Sequence, residues 1–318
     1  MPSDNYPYAV GRVRLLENAL LDRGKLARLR ELGYDEALRQ LNDWGYAADY
    51  PIKNDPDALI AFRRAEVRAQ VAEITPDPAL TDLFYLDMDA TNLKLLLKSR
   101  LLGGKAEADE ALSAGVFPLD TLRQAVENAD YSALGEPLCG ALGSLEAELK
   151  LHVDPRLLSA SVDKAIFSHI AAVLKKRRNA FCSNYFTNKI DYTNVLSVLR
   201  ARALGWDETD LAPMLAPGGR LDEPTLLAAL SAAEEQLPAL LASGFNAEGL
   251  RRALELYRSG SFEAARDQID ESLLALALEG RYDSFGIGPI AWFILASESE
   301  CRTLRVLFAK KRADRANA

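Results

Sequence analysis

Apolar residues recur along this chain at the spacing of helices rather than of strands. Between residues 8 and 23, Tyr8, Val10, Val13, Leu16, Leu20 and Leu21 share one helical face. Arg12, Arg14, Glu17 and Asp22 lie mostly off it. Residues 25–32 and 35–44 predict two short helices, broken at Gly33 and Gly45, and the Pro, Asp and Asn content of 46–56 predicts a loop. A helix over 58–74 is stopped by Pro76 and Pro78, and another is expected over 119–127. Residues 131–144 hold three glycines and a proline and read as a flexible connection. The stripe Val162, Ile166, His169, Ile170, Val173 and Leu174 predicts a helix over 161–180 that ends in the basic run Lys175 to Arg178. Further helices are expected over 221–243, 247–257 and 262–280, and a long one begins near Pro289, which suits a first helical turn. Period-two alternation and Asn-Gly or Asp-Gly hairpin turns are missing, and alanine and leucine dominate. The expected fold class is all-α.

One pattern occurs twice without a gap. Residues 89–103 and 191–205 match at seven positions with a constant offset of 102: Asp89/Asp191, Thr91/Thr193, Asn92/Asn194, Leu97/Leu199, Arg100/Arg202, Leu102/Leu204 and Gly103/Gly205. Each copy reads as a complete helix. Asp89 and Asp191 are expected as N-caps, with Asn92 and Asn194 reaching back as in a capping box. Basic residues fall in the last turns, and Gly103 and Gly205 supply the left-handed C-terminal residue. Downstream, Gly115, Thr121, Leu122 and Ala125 match Gly219, Thr225, Leu226 and Ala229 at an offset of 104. A weaker third copy sets Glu300, Thr303, Leu304, Leu307 and Lys311 against Asp89, Asn92, Leu93, Leu96 and Arg100, at an offset of 211. This period is too long for a solenoid repeat of roughly 20 to 50 residues and predicts duplicated helical domains.

Composition narrows the function classes. The 318 residues are 49% hydrophobic, enough for two or three domains with real cores, and the net charge of −8 argues against whole-molecule affinity for nucleic acid or anionic lipid. Cys139, Cys182 and Cys301 are far apart, which fits structural thiols in a reducing compartment better than a disulfide framework or a zinc site. The first residues lack the basic and apolar regions of a signal peptide. The run 287–296 is interrupted by Gly288 and Pro289 and falls short of the roughly 20 residues of a span. A cytoplasmic protein without a direct membrane span is expected.

Candidate chemistry is sparse. Gly286-x-Gly288-x-x-Ala291 mimics a dinucleotide fingerprint but follows no predicted strand, so a tight helix entry is the simpler reading. Gly103-Gly104-Lys105 resembles the end of a phosphate loop, yet position 99 is Ser and Ala106 replaces the magnesium-binding hydroxyl. Two histidines, His152 and His169, support no nucleophilic arrangement, and His169 is expected to be a packed residue with a satisfied ring. Asp87 and Asp89 form a conceivable metal pair, but Asp89 is more simply a cap. No catalytic, cofactor-binding or metal residue is assigned, and no cofactor is expected. The candidate partner-contact or structural basic residues are Lys98, Arg100, Arg200, Arg202, Arg302 and Arg305.

Four features in order resemble a known family: Tyr8-Ala9-Val10-Gly11-Arg12-Val13-Arg14, the two Asp-x-x-Asn-basic helices, Phe285-Gly286-Ile287-Gly288-Pro289-Ile290, and Glu298-x-Glu300-x-Arg302-x-Leu304-Arg305. The family is the C-type subunit of the V/A-type ATPase (ATP synthase), similar to the d-type subunit of the eukaryotic V-ATPase. The resemblance implies three similar helical domains in a funnel with pseudo-threefold symmetry, with approximate bounds 1–115, 116–218 and 219–318 and exchange of terminal helices. It also implies a non-catalytic rotor connector that joins central-shaft subunits to the membrane proteolipid ring, peripheral at the membrane. Chains of this family usually continue beyond the last basic helix, whereas this sequence ends at Ala318. The alternative is a stand-alone helical scaffold or enzyme.

Overall fold

A computed structural model of the chain describes residues 6–51, 53–102, 112–149, 155–242 and 247–316. Every regular element among them is helical, which makes the protein all-α. Contacts divide the chain into two compact units: Met1–Phe84 with Ala277–Ala318, and Tyr85–Leu276.

The first unit draws on both ends of the chain. Its N-terminal part holds α1 (Tyr6–Leu16), α2 (Arg23–Glu31), α3 (Tyr34–Asp43), α4 (Pro56–Ile74) and α5 (Pro78–Asp82). The helix predicted over 8–23 is shorter than expected, because a 3-10 turn at Glu17–Ala19 runs into extended backbone at Leu20. Asp22 then caps α2 by accepting from the Lys25 amide at 2.8 Å. Asp55 caps α4, with Pro56 in the first turn where its missing N–H costs nothing. The C-terminal part supplies the long helix Gly288–Ala316 to this unit. Leu304, Leu307 and Phe308 from that helix pack with Leu29, Leu38, Leu41, Leu59 and Ile60.

The second unit contains α6 (Leu86–Leu102), α7 (Leu119–Asn128), α8 (Leu138–Leu149), α9 (Pro155–Arg177), α10 (Ala180–Leu204), α11 (Glu208–Leu211), α12 (Glu223–Ser231), α13 (Leu237–Leu241), α14 (Ala247–Arg258) and most of α15 (Phe262–Gly280). The Gly288–Ala316 helix of the first unit is therefore α16. The core of the second unit brings Val195, Val198 and Leu199 of α10 against Leu226, Leu237, Leu250, Leu254 and Ile269. Gly205 ends α10 in the left-handed region at φ +66°, its amide reaching the Ala201 and Arg202 carbonyls, as expected of that glycine. The corresponding Gly103 lies outside the described residues.

Two local expectations need correction. Residues 131–144 are not a flexible connection: a 3-10 turn at Ser132–Leu134 leads into α8, where Leu138, Leu142 and Leu145 bury one helical stripe despite two glycines. The single helix expected over 221–243 is broken after Ser231 and restarts in a new helix with Pro238 in its first turn. By length and composition the segment Arg156–Arg177 is apolar enough to cross a membrane. Val162, Ala165, Ile166 and Ile170 on this helix are nevertheless buried inside the second unit, as in a core helix.

Candidate functional site

The duplicated helices use their matching residues in the same way, and not as expected. Asp89 and Asp191 are not N-caps. Each lies inside its helix, three residues into α6 and eleven into α10, and each carboxylate is buried. Asp89 accepts from the amides of Val116 at 2.7 Å and Phe117 at 3.2 Å, in the loop that enters α7. Asp191 accepts from Arg220 at 2.8 Å and Leu221 at 3.0 Å, in the loop that enters α12. A local cap and a clasp on a distant segment ask for the same side chain, so spacing alone did not separate them. The glycines of the second echo now have a reason. A Cβ on Gly115 would stand 2.2 Å from Asp89 Oδ1, and one on Gly219 would stand 2.2 Å from Asp191 Oδ1.

The asparagines complete the grip. Asn92 donates from Nδ2 to the Ser113 carbonyl at 2.7 Å and accepts the Ser113 amide at 3.1 Å. Asn194 does the same with Ala216, at 2.8 Å in both directions. Each side-chain amide thus satisfies both polar groups of one backbone residue, part-buried at Ser113 and buried at Ala216. Further along each helix, the basic residue holds the far end of the short helix. Arg202 donates to the carbonyls of Ala229, Leu230 and Ala232, each at 2.8 Å, at the end of α12. Arg100 donates to the Val126 carbonyl near the end of α7 and pairs with Glu146, which also accepts from the Tyr131 hydroxyl. A cation there meets orphan carbonyls and the negative end of the dipole.

A third clasp sits in the first unit, with the chain order reversed. Glu300 of α16 accepts from the Leu21 amide at 2.5 Å, just before α2. Lys311 donates to the carbonyls of Arg30, at 3.1 Å, and Leu32, at the end of α2. In all three clasps the acid and the base are eleven residues apart, Asp89 to Arg100, Asp191 to Arg202 and Glu300 to Lys311. Eleven residues are close to three turns, so both side chains share a face, about 16 Å apart along the axis. That spans a short helix of nine or ten residues, the lengths of α2, α7 and α12. Glu300 and Lys311 were legible in the echo at offset 211, although the candidate set included neither.

The remaining candidates lie nearer the surface. Lys98 is half-buried on α6 and forms no ion pair among the described residues. Arg200 is exposed, with its guanidinium 5.7 Å above the Phe262 ring. Arg302 and Arg305 are exposed on α16. Asp87 pairs with Lys189, so it does not face a metal alongside Asp89. Among the described residues no group of three His, Cys, Asp or Glu side chains is placed to hold a metal ion. His169 is half-buried rather than fully packed, and its buried Nδ1 has no partner, contrary to the satisfied ring expected. Burial and Lys176 together push its pKa down. His152 and Gly103-Gly104-Lys105 lie outside the described residues. Gly288 opens α16 against the Gly280 carbonyl, where a Cβ would come within 2.2 Å, so this motif is a tight helix entry.

The first resemblance motif is tied to the turn before α16 in the first unit. Arg14 of α1 donates to the Arg281 carbonyl and pairs with Glu17, which also receives Arg281 at 2.7 Å. The Arg281 guanidinium stacks 4.3 Å from the Trp292 ring centre. This anchors α1 beside the turn that leads into α16. Tyr8, Leu15, Tyr282 and Phe285 remain exposed there, in α1 and in that turn.

A family model described as ATP synthase (C/AC39) subunit matches residues 9–317. The C-type subunit of the A-type ATP synthase of Methanosarcina acetivorans is 24% identical, over 98% of this chain and 90% of that protein. That of Methanothermobacter thermautotrophicus is 25% identical, over 97% and 85% respectively. The C-type subunit of the V-type ATP synthase of Thermus thermophilus is 24% identical, over 96% and 94%.

Proposed function

The chain belongs to the ATP synthase (C/AC39) subunit family, and we propose that it is the non-catalytic connector between the central shaft and the membrane proteolipid ring of a V/A-type rotary ATPase. The observation that carries this reading is the threefold recurrence of one clasp, joined to a family match over nearly the whole chain. A connector transmits torque without chemistry, so its body must resist deformation. Each clasp fixes a short helix at both ends to a long one, and close-packed interiors transmit strain. We read residues 1–115, 116–218 and 219–318 as three helical repeats that exchange terminal helices, since α16 holds α2 from the other end of the chain.

The clasps also redistribute the basic residues. Arg100 and Arg202 are occupied with carbonyls inside the second unit, so their role is internal. Of the candidate basic residues, Arg200, Arg302 and Arg305 are exposed and Lys98 is half-buried, and in this reading these four are the ones that face a partner. The protein then works on the cytoplasmic side, peripheral to the membrane. Reconstitution of the membrane ring with the catalytic head and shaft tests the role. With this subunit present the head and ring should sediment as one particle, and without it they should separate. Stable head–ring particles without the subunit would refute the connector role.

A further inference from the structure

The third clasp differs from the other two in a way that suits it to respond to protons. Asp89 and Asp191 each accept two backbone amides. Glu300 accepts one, from Leu21, and its other oxygen, Oε1, is buried without a partner. Only 5% of the residue is exposed. Across from it on α4, Arg63 is also buried, pairs with Glu66, and leaves Nη2 without a partner. One site therefore holds an unfilled acceptor and an unfilled donor, a costly arrangement for buried polar atoms.

The surrounding groups narrow the titration to Glu300. On α16, Glu298 pairs with Arg64 of α4, and Cys301 lies 3.6 Å from the Tyr46 hydroxyl in the turn after α3. Burial pushes the Cys301 thiol up to about 11 and drives the Tyr46 hydroxyl further upward, so both stay neutral near pH 7. Burial raises the Glu300 carboxyl to about 7, against the opposing effects of the Leu21 amide, Arg63 and Lys25 of α2. Asp191 is also pushed up by burial, but two amides and Arg220 oppose the shift.

We propose that Glu300 is a proton-operated latch that holds the entry to α2 when protonated and releases it when ionised. Protonated, the buried carboxyl accepts from Leu21 at little electrostatic cost. Ionisation leaves a buried anion with a single amide donor. Turning toward Nη2 of Arg63, or opening to water, then costs less than staying in place. Acidification closes the clasp and alkalinisation loosens it, and the clasps at Asp89 and Asp191, each with two amide donors, are the reference. The latch is a property of the chain itself and does not depend on the connector role.

Carboxyl-labelled glutamate NMR and amide exchange on the full chain between pH 6 and 8 test this directly. The Glu300 signal, identified by its loss in Glu300→Gln, should titrate well above those of exposed glutamates. Exchange at the Leu21 amide, relative to the Leu221 and Phe117 amides of the other clasps, should rise about tenfold over that range. Glu300→Gln should abolish the excess. If that variant does not fold, the comparison of the three amides in the unaltered chain decides alone. A Glu300 signal that titrates with the exposed glutamates, or a Leu21 amide that tracks Leu221 and Phe117, would overturn the latch.

Discussion

At the residue scale, each clasp depends on a side chain and, at Asp89 and Asp191, on the absence of one beside it. Asp191 reaches the amides of Arg220 and Leu221 because Gly219 leaves room for its carboxylate. Gly219→Ala should therefore destabilise the chain by about 1–3 kcal/mol, as overpacking does. Gly143→Ala is the matched control: it lies inside α8, a Cβ there meets nothing, and it should be neutral or stabilise by up to about 1 kcal/mol. Urea unfolding of both variants gives the comparison. Glu300 makes a second prediction, about pH. Its carboxyl ionises at the ordinary 4.5 when unfolded and at about 7 when folded. Between those values the folded chain holds more protons, so the contribution to stability falls as pH rises, by about 3 kcal/mol once pH passes 7. The stability of the unaltered chain minus that of Glu300→Gln should fall between pH 5 and 8, and a flat difference would contradict the assignment. The sequence marked Asp89, Asp191 and Glu300 as equivalent but could not show their partners. The partner of Asp89 lies more than twenty residues downstream, and that of Glu300 lies near the other end of the chain.

At the element scale, amphipathic stripes and punctuation located most helices, and α15 agrees with its predicted bounds of 262–280. One failure comes from weighing glycines against a buried stripe. In α8, burial of Leu138, Leu142 and Leu145 outweighs Gly140 and Gly143. The helix expected over 221–243 stops at Ser231, where Ala232 and Ala233 turn extended, and Pro238 sits in the first turn of the next helix. The basic residues separate in the same terms. Arg202 holds three carbonyls at the end of α12, and Arg200, two residues away, only overlies Phe262. Arg202→Ala should cost about 2–3 kcal/mol and raise amide exchange at the end of α12. Arg200→Ala should stay within about 0.5 kcal/mol. Equal effects of the two substitutions on unfolding would remove the distinction between an internal and an exposed basic residue.

At the scale of the whole molecule, the sequence made the all-α class, the duplication and the family resemblance legible, and the family match bears out the last. It did not reveal that the chain ends fold into one unit, because an echo identifies equivalent helices without saying which short helix each one holds. The clasp at Glu300 and Lys311 supplies that connection, since α16 grips α2 at both ends. A body built this way suits a part that passes torque and performs no reaction. The decisive measurement pairs ATP hydrolysis with ion transport in a reconstituted complex, with and without this subunit. The account predicts that hydrolysis persists and ion transport stops when the subunit is left out, and that both recover together when it is restored. Fully coupled transport in its absence would contradict the connector role.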